Sequence, residues 1–468
     1  MKILLVAHYF LPRHQAGTEI YTGLLARALA GRGHQISILA SEDGGTGIMP
    51  VTSGHGLEGH ATRFKLVEES WEGLPVFRLH RGEPPVFERS YTDPAVDAIF
   101  RQLLTRLKPD VVHFQHTFRL SAGMIPACKD AGIPAALTLA DFWFICPPIL
   151  LLQPGLIPCP GPDLDRCARC GNAIGALYAG GTAGTGGARE RLVRAAHALK
   201  RRLPRPLVER ARAWKQQREL QDSGSEFQRR RALLAARQET MRLALDASGI
   251  VIAPSEYLRQ KMIAAGMVEP ERIIHSDYGF DVSRFSGLKR EPADHLRFGF
   301  IGTPVEHKGA HVAVAAMNRL RDTAAELWVY GDLSWFPAYA RRLRRLAKNP
   351  RVCFPGRFEN AEAGRILSRI DALIVPSLWP ENSPLTIHEA FLAGVPVLVS
   401  DLGGMAELVQ PGGGLAFRPG DEADLARAMR GLLERPEELE RLRRSIPPVK
   451  SIADNAEELE AVYRRLRP

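Results

Sequence analysis

A chain of 468 residues with 45% hydrophobic side chains exceeds one ordinary core and should divide into two or three domains. No apolar run approaches the roughly 18 residues of a membrane span, and the start "MKILLVAHYFLP" reads as a first strand with no cleavage signature. Six cysteines in so long a chain do not make a disulfide scaffold and point to a reducing cytoplasm, while the net charge of +10 is concentrated in residues 189–237, where 15 Lys or Arg face 5 Asp or Glu.

In chain order, the strand-like runs "KILLVA", "ISILA", "VVHFQH", "AALTLA" and "IVIAPS" alternate with helical stretches such as "EIYTGLLARALAGRG". A second series follows: "RFGFIG", "ELWVYG", "VCFPG", "ALIVPS" and "PVLVS". Alternation of this kind gives parallel sheets, and two series give two doubly wound α/β domains. We expect the first at 1–280, the second at 293–445, and the last segment, 446–468, as a helix packing across both. No fixed-period repeat suggests a solenoid.

The first series carries three features of interest. After the first strand, "HYFLPRHQAGTEI" sets Gly17 where backbone can approach an anion closely, with Thr18 a candidate helix cap. The stretch is not G-x-G-x-x-G, which weighs against a dinucleotide cofactor. In "DVVHFQH", His113 lies inside the strand and reads as structural, whereas His116 at its end is placed either to reach a cleft or to serve the core. Cys146, Cys159, Cys167 and Cys170 fall within 25 positions, and "CARC" has zinc-ligand spacing. They form a candidate structural zinc site in the 146–170 loop, against free thiols or a redox pair. Cys128 and Cys353 read as ordinary buried cysteines.

The basic insertion, about 171–240, reads as helices interrupted by Pro204 and Pro206, with Leu192, Val193, Ala196 and Leu199 on an apolar face. An anionic membrane surface fits residues 189–237, and a solvated helical hairpin fits them too. Nucleic acid fits poorly, because no stacking aromatics interleave the charges.

In the second series, "FIGTPVEHKGAHV" sets Lys308 and Gly309 at a strand-to-helix turn, the place for a diphosphate clamp or for a solvated lysine. "ALIVPSLWPENSPLTIHEAFLAGVPVLVS" reads as strand, loop, helix, strand: Ser383 as cap, Pro384 in the first turn and Gly394 at the end. Glu381 falls in the loop outside the carboxyl end of a strand, where ligands bind in open α/β sheets. Glu389 lies about one and a half turns into the helix, whose first amides, at Leu385 and Thr386, suit an anion or a polyhydroxyl ligand.

Together "HYFLPRHQAGTEI", "DVVHFQH", "TLADFWFICP", "APSEYLRQKM", "YGFDVSRF", "FIGTPVEHKG", "YGD" and above all "PENSPLTIHEA" resemble the retaining glycosyltransferases of family 4, which have the GT-B fold. The resemblance covers most of the chain outside 171–240. It implies a UDP- or GDP-sugar donor in the cleft between domains, a glycan or lipid-linked acceptor, and no cofactor or metal for catalysis, so that zinc would only pin the insertion. Glu389 would hold the ribose. Glu381, with the backbone of Asn382, Ser383, Pro384 and Leu385, would hold the sugar hydroxyls, and Lys308 and Gly309 would meet the diphosphate beside Gly17.

Two positions depart from the family pattern. Thr303 stands near a common arginine, for which Arg357 is a candidate substitute, and Ala140 replaces a histidine that normally lies beside the donor sugar, leaving His116 as a candidate catalytic group. The expected function is transfer of a hexose with retention, in the cytoplasm or at the inner face of the membrane. A degenerate nucleotide-sugar-binding protein and a GT-B epimerase are the alternatives.

Overall fold

The computed structural model describes residues 1–43, 64–82, 86–173 and 205–467, the side chains of 43 and 205–223 excepted. The apolar runs become strands β1 (Lys2–Ala7), β2 (Gln35–Asp43), β3 (Phe64–Trp71), β4 (Leu74–Arg81), β5 (Val111–Phe114), β6 (Ala135–Thr138), β7 (Leu152–Gln153), β8 (Ile157–Pro158), β9 (Ile250–Ala253), β10 (Ile273–His275), β11 (Arg297–Ile301), β12 (Glu326–Tyr330), β13 (Val352–Gly356), β14 (Ala372–Val375), β15 (Val397–Ser400) and β16 (Gly414–Phe417). The first sheet has the order β10-β9-β6-β5-β1-β2-β4-β3 and the second β13-β12-β11-β14-β15-β16, so both series of the sequence form a doubly wound sheet. All pairs are parallel except β3 with β4, and β7 and β8 make a separate small hairpin.

The helices are α1 (Gly17–Gly31), α2 (Phe87–Tyr91), α3 (Pro94–Leu107), α4 (Met124–Asp130), α5 (Leu164–Arg169), α6 (Arg205–Ala247), α7 (Glu256–Ala264), α8 (Ala310–Asn318), α9 (Pro337–Leu346), α10 (Ala363–Leu367), α11 (Leu385–Leu392), α12 (Gly403–Val409), α13 (Glu422–Glu434), α14 (Pro436–Arg444) and α15 (Ile452–Leu466). They cover the faces of the two sheets, so the central strands β1, β5, β6, β14 and β15 are almost wholly buried.

Several local expectations need correction. The cap of α1 is Ala16, with Thr18 inside the first turn. The cap of α11 is Pro384, because Ser383 is drawn into other bonds. Gly394 follows the α11 cap in the left-handed region, as its place in the sequence predicts. Cys353 is exposed, since β13 is the edge strand of its sheet and the side chains there alternate. The apolar face proposed at 192–199 lies outside the described residues. Pro206 opens α6 and does not break it.

Helix α15 returns to the first sheet. Tyr463 O–H lies 2.6 Å from His113 Nδ1, Tyr21 O–H donates to Asn455 at 2.8 Å, and Arg32 donates to Glu460 at 2.7 Å. His113 also meets Thr138 at 2.8 Å and is fully buried, which pulls its pKa down to about 3 and keeps the ring neutral. It is a structural histidine. Tyr463→Phe removes one partner and strands a buried ring nitrogen, so the thermal midpoint should fall by the equivalent of about 1–3 kcal/mol. A calorimetric midpoint equal to that of the unaltered protein would show that His113 finds another partner.

Candidate active site

In parallel sheets the loops after each strand emerge on one edge, and those of the two sheets carry the predicted residues. The loop after β11 bends through Gly302 and Thr303, whose carbonyl accepts from Val305 at 2.8 Å, and ends at Gly309 with φ of +73°. This delivers Lys308, whose Nζ lies 2.8 Å from Glu381 Oε2 and 5.4 Å from the centre of the Trp379 ring. Ser377 donates to the other Glu381 oxygen. Glu381 is only 5% exposed, so Lys308 supplies the positive charge that its burial requires.

Glu389 has a different setting. It sits half-buried on α11, and burial pushes its pKa up to about 7, with Arg284 opposing the shift. No hydrogen bond to its carboxylate is formed among the described residues. Gly17 closes this side from the first sheet: a side-chain carbon placed there would lie 3.3 Å from Leu385, so the first-domain glycine and the start of α11 are brought together.

The loop between Glu381 and α11 is braced against the first sheet. Asn382 donates to the carbonyls of Leu139 at 3.0 Å and Ala140 at 3.2 Å, and accepts from Ser255 at 2.6 Å. Ser383 donates to Asp277 at 2.7 Å and meets His388 at 2.9 Å. Glu407 on α12 accepts from the first amides of α7, at Glu256 and Tyr257, at 2.8 Å each, an anionic cap supplied by the opposite sheet. The sequence reading missed these braces, because nothing in local spacing pairs residues more than 100 positions apart.

His116 does not lie free beside the cleft. Its Nδ1 accepts from the Phe118 amide at 2.9 Å, so Nε2 carries the proton that it gives to Asp141 at 3.0 Å. As arranged it positions Asp141 and has no nitrogen left for a sugar. Arg357 lies after β13, two strands from the Lys308 strand, exposed and 3.2 Å from Glu359. A feature not anticipated is His8, at the end of β1, with Nε2 3.3 Å from Glu19 and its ring 4.6 Å from that of His116. Burial raises the Glu19 pKa and lowers that of His8 well below its usual value. An acidic residue in the first turn of the helix after β1 was the signal available in the sequence.

The cysteine loop also needs correction. Among the described residues no three His, Cys, Asp or Glu side chains are gathered to hold a metal. Cys146 is buried and its pKa is pushed up to about 12, by burial first, which keeps it a neutral thiol. Cys159 instead directs its thiol to the Gly161 carbonyl at 3.4 Å, and Cys167 and Cys170 are half-buried on and after α5. Arg237, counted among the basic surface residues, is 2% exposed and stacks 4.4 Å from the Trp143 ring while donating to its carbonyl. No described helix is long and apolar enough to cross a membrane.

The chain's relatives fit this arrangement. Residues 16–169 match the model of the glycosyl transferase 4-like domain and residues 295–435 that of glycosyl transferases group 1, together more than half of the chain. Glycogen synthase of Mycobacterium tuberculosis (strain ATCC 25618 / H37Rv) is 33% identical over 174 residues, 36% of this chain and 41% of that relative, so the match spans about two fifths of the relative's length. Among solved structures, sucrose-phosphate synthase from Thermosynechococcus elongatus has a TM-score of 0.62 at 16% identity, covering 99% of this chain and 98% of that one. Anabaena Alr3699/HepE in complex with UDP and glucose has a TM-score of 0.60 at 16% identity, covering 99% of each chain. Both share the two-sheet fold, and with the two family matches they establish that the chain belongs to the group 1 glycosyltransferases of GT-B architecture.

Proposed function

We propose that the protein transfers a hexose from a UDP- or GDP-sugar to a glycan or lipid-linked acceptor with retention at the anomeric carbon. The observation that carries this reading is the Lys308–Glu381 pair at 2.8 Å, set between the Gly309 turn and the half-buried Glu389 on one sheet edge. Lys308 and the Gly309 turn meet the diphosphate, Glu381 and the backbone of residues 382–385 meet the sugar, and Glu389 takes the ribose hydroxyls. As the bond from the anomeric carbon to the diphosphate breaks, the acceptor oxygen bonds to that carbon on the same face, and its proton passes to the departing phosphate oxygen. Stabilising the charge on that leaving group is the protein's main contribution.

Titration calorimetry with UDP, GDP and their sugars tests the division of labour. Glu389→Ala should weaken free nucleotide and nucleotide sugar alike by tenfold or more, the worth of about 1.5–3 kcal/mol for a charged hydrogen bond. Glu381→Ala should spare free nucleotide. Equal effects on nucleotide alone would refute the assignment.

The pH dependence follows from the raised Glu389 pKa of about 7. Ribose binding needs the carboxylate, so nucleotide affinity should rise with pH up to about 7 and then level, by as much as about tenfold per unit below it. In the apo protein the sign is opposite: the raised pKa favours the folded state at low pH, and that contribution is lost as pH rises through about 7. Glu389→Gln should flatten the affinity profile; an unchanged slope would place the titrating group elsewhere.

A second reading, a binding protein without turnover, is favoured by Ala140, which stands where the resemblance implies a histidine beside the donor sugar. Donor binding without transfer or donor hydrolysis, in the presence of a crude acceptor extract, would select it. An epimerase would alter the nucleotide sugar without acceptor.

A further inference from the structure

The second sheet carries a surface that none of the site chemistry uses. Between Asp332 and Glu359 the chain runs for 26 residues with seven Lys or Arg and no Asp or Glu. The stretch begins with Trp335, 66% exposed, and Phe336, 38% exposed, in the turn that leads into α9. Helix α9 buries Tyr339, Ala340 and Leu343 against the sheet. Its exposed face then presents Arg341, Arg344 and Arg345 at i, i+3 and i+4, followed by exposed Lys348 and Arg351. Among the described residues none of these five cations has a carboxylate within ion-pair distance. Of the neighbouring acids, Glu306 is paired with Arg342 and Glu359 with Arg357, while Asp332 accepts from the Ser334 amide and hydroxyl.

We propose that this surface seats the protein on an anionic lipid bilayer. Two properties favour a bilayer over a soluble polyanion. A cationic stripe with no interleaved acid complements anionic headgroups, and exposed Trp and Phe side by side at its end are the side chains that partition into the boundary between headgroups and acyl chains. The placement also has a use. The turn holding Trp335 lies beside the Lys308 loop: a side-chain carbon on Gly331 would lie 2.1 Å from the Gly302 carbonyl oxygen, and Arg342 reaches across to Glu306. A bilayer held by this surface therefore borders the candidate donor site, which gives a lipid-anchored acceptor a short path to it. The surface is distinct from residues 189–237, and its binding does not depend on whether the chain transfers sugar.

The test is flotation of the full chain with vesicles of phosphatidylcholine alone and of phosphatidylcholine with one third phosphatidylglycerol. Binding should require the anionic lipid and weaken with salt. Each removed charge should lower the partition coefficient about fivefold, so Arg341→Gln/Arg344→Gln/Arg345→Gln should lower it about a hundredfold. Trp335→Ser should lower it further with the salt dependence unchanged. These side chains are exposed, so thermal midpoints should match that of the unaltered protein and separate lost binding from lost folding. Vesicle binding undiminished in the triple variant would overturn the proposal and leave another basic segment as the anchor. No vesicle binding, with heparin or duplex DNA bound through the same arginines, would overturn it in favour of a soluble polyanion.

Discussion

Lys308→Ala should reduce transfer by at least a hundredfold in kcat/KM and destabilise the second domain as well. Two losses combine. On the proposed function the ammonium group would stand where charge develops on the leaving diphosphate, and removal of one such preorganised donor costs about 3–4 kcal/mol of transition-state stabilisation. It also neutralises Glu381, only 5% exposed, and breaking a buried pair from one side costs about 3–5 kcal/mol, less here because Lys308 itself is 30% exposed. The two effects separate in the double variant Lys308→Ala/Glu381→Gln, in which the stranded charge is gone. Its thermal midpoint should recover toward that of the unaltered protein, while transfer stays low. Recovery of transfer in the double variant would mean that Lys308 serves only as the counter-ion of Glu381.

Gly309→Ala should destabilise the second domain strongly. The residue has φ of +73°, and the new carbon would lie 1.8 Å from the Pro376 carbonyl oxygen at the end of β14. The left-handed conformation alone costs an alanine about 1–2 kcal/mol. The greater cost is steric, because the opposing atom is backbone next to a buried strand and cannot rotate away. A total of about 4 kcal/mol or more would lower the thermal midpoint by roughly 8–16 °C for a domain of this size. Activity should fall with it, since Lys308 is the preceding residue. A calorimetric shift under about 2 °C would mean that the loop relaxes without strain.

The fold was legible because its central strands are continuous apolar runs, and all ten runs named from the sequence lie in one of the two sheets. Strands β3 and β4 were not. The stretches that form β3 and β4 mix charged and apolar residues, since Arg78 is buried only by pairing with Glu69 and Glu42, and no periodicity announces such a pair. Lys308, Glu381 and Gly17 were named from motif and turn chemistry, whereas the approach of Lys308 to Glu381 and of Gly17 to Leu385 is a tertiary fact. His116 shows the limit: its position at a strand end suggested access to ligand, but both nitrogens are taken by the Phe118 amide and Asp141. The cysteine spacing of a metal site likewise did not produce, among the described residues, a group of three side chains gathered to hold a metal. Arg237 could not be told from its basic neighbours, because only packing against Trp143 distinguishes a buried guanidinium from a solvated one.

The return of α15 to the first sheet bears on the order in which the protein can be completed during synthesis. The first domain's strands leave the ribosome well before Ile452–Leu466, yet Nδ1 of the buried His113 ring and the hydroxyl of Tyr21 find their partners in that late segment. Until it arrives, the nascent first domain exposes the apolar seat that Leu459, Val462 and Tyr463 will fill. Domains of a growing chain usually fold from the amino end as units. Here that unit stays unfinished until the second sheet has been made, so a stalled or truncated chain lacking residues 452–466 should be recognised by chaperones and proteases through its first domain, far from the break.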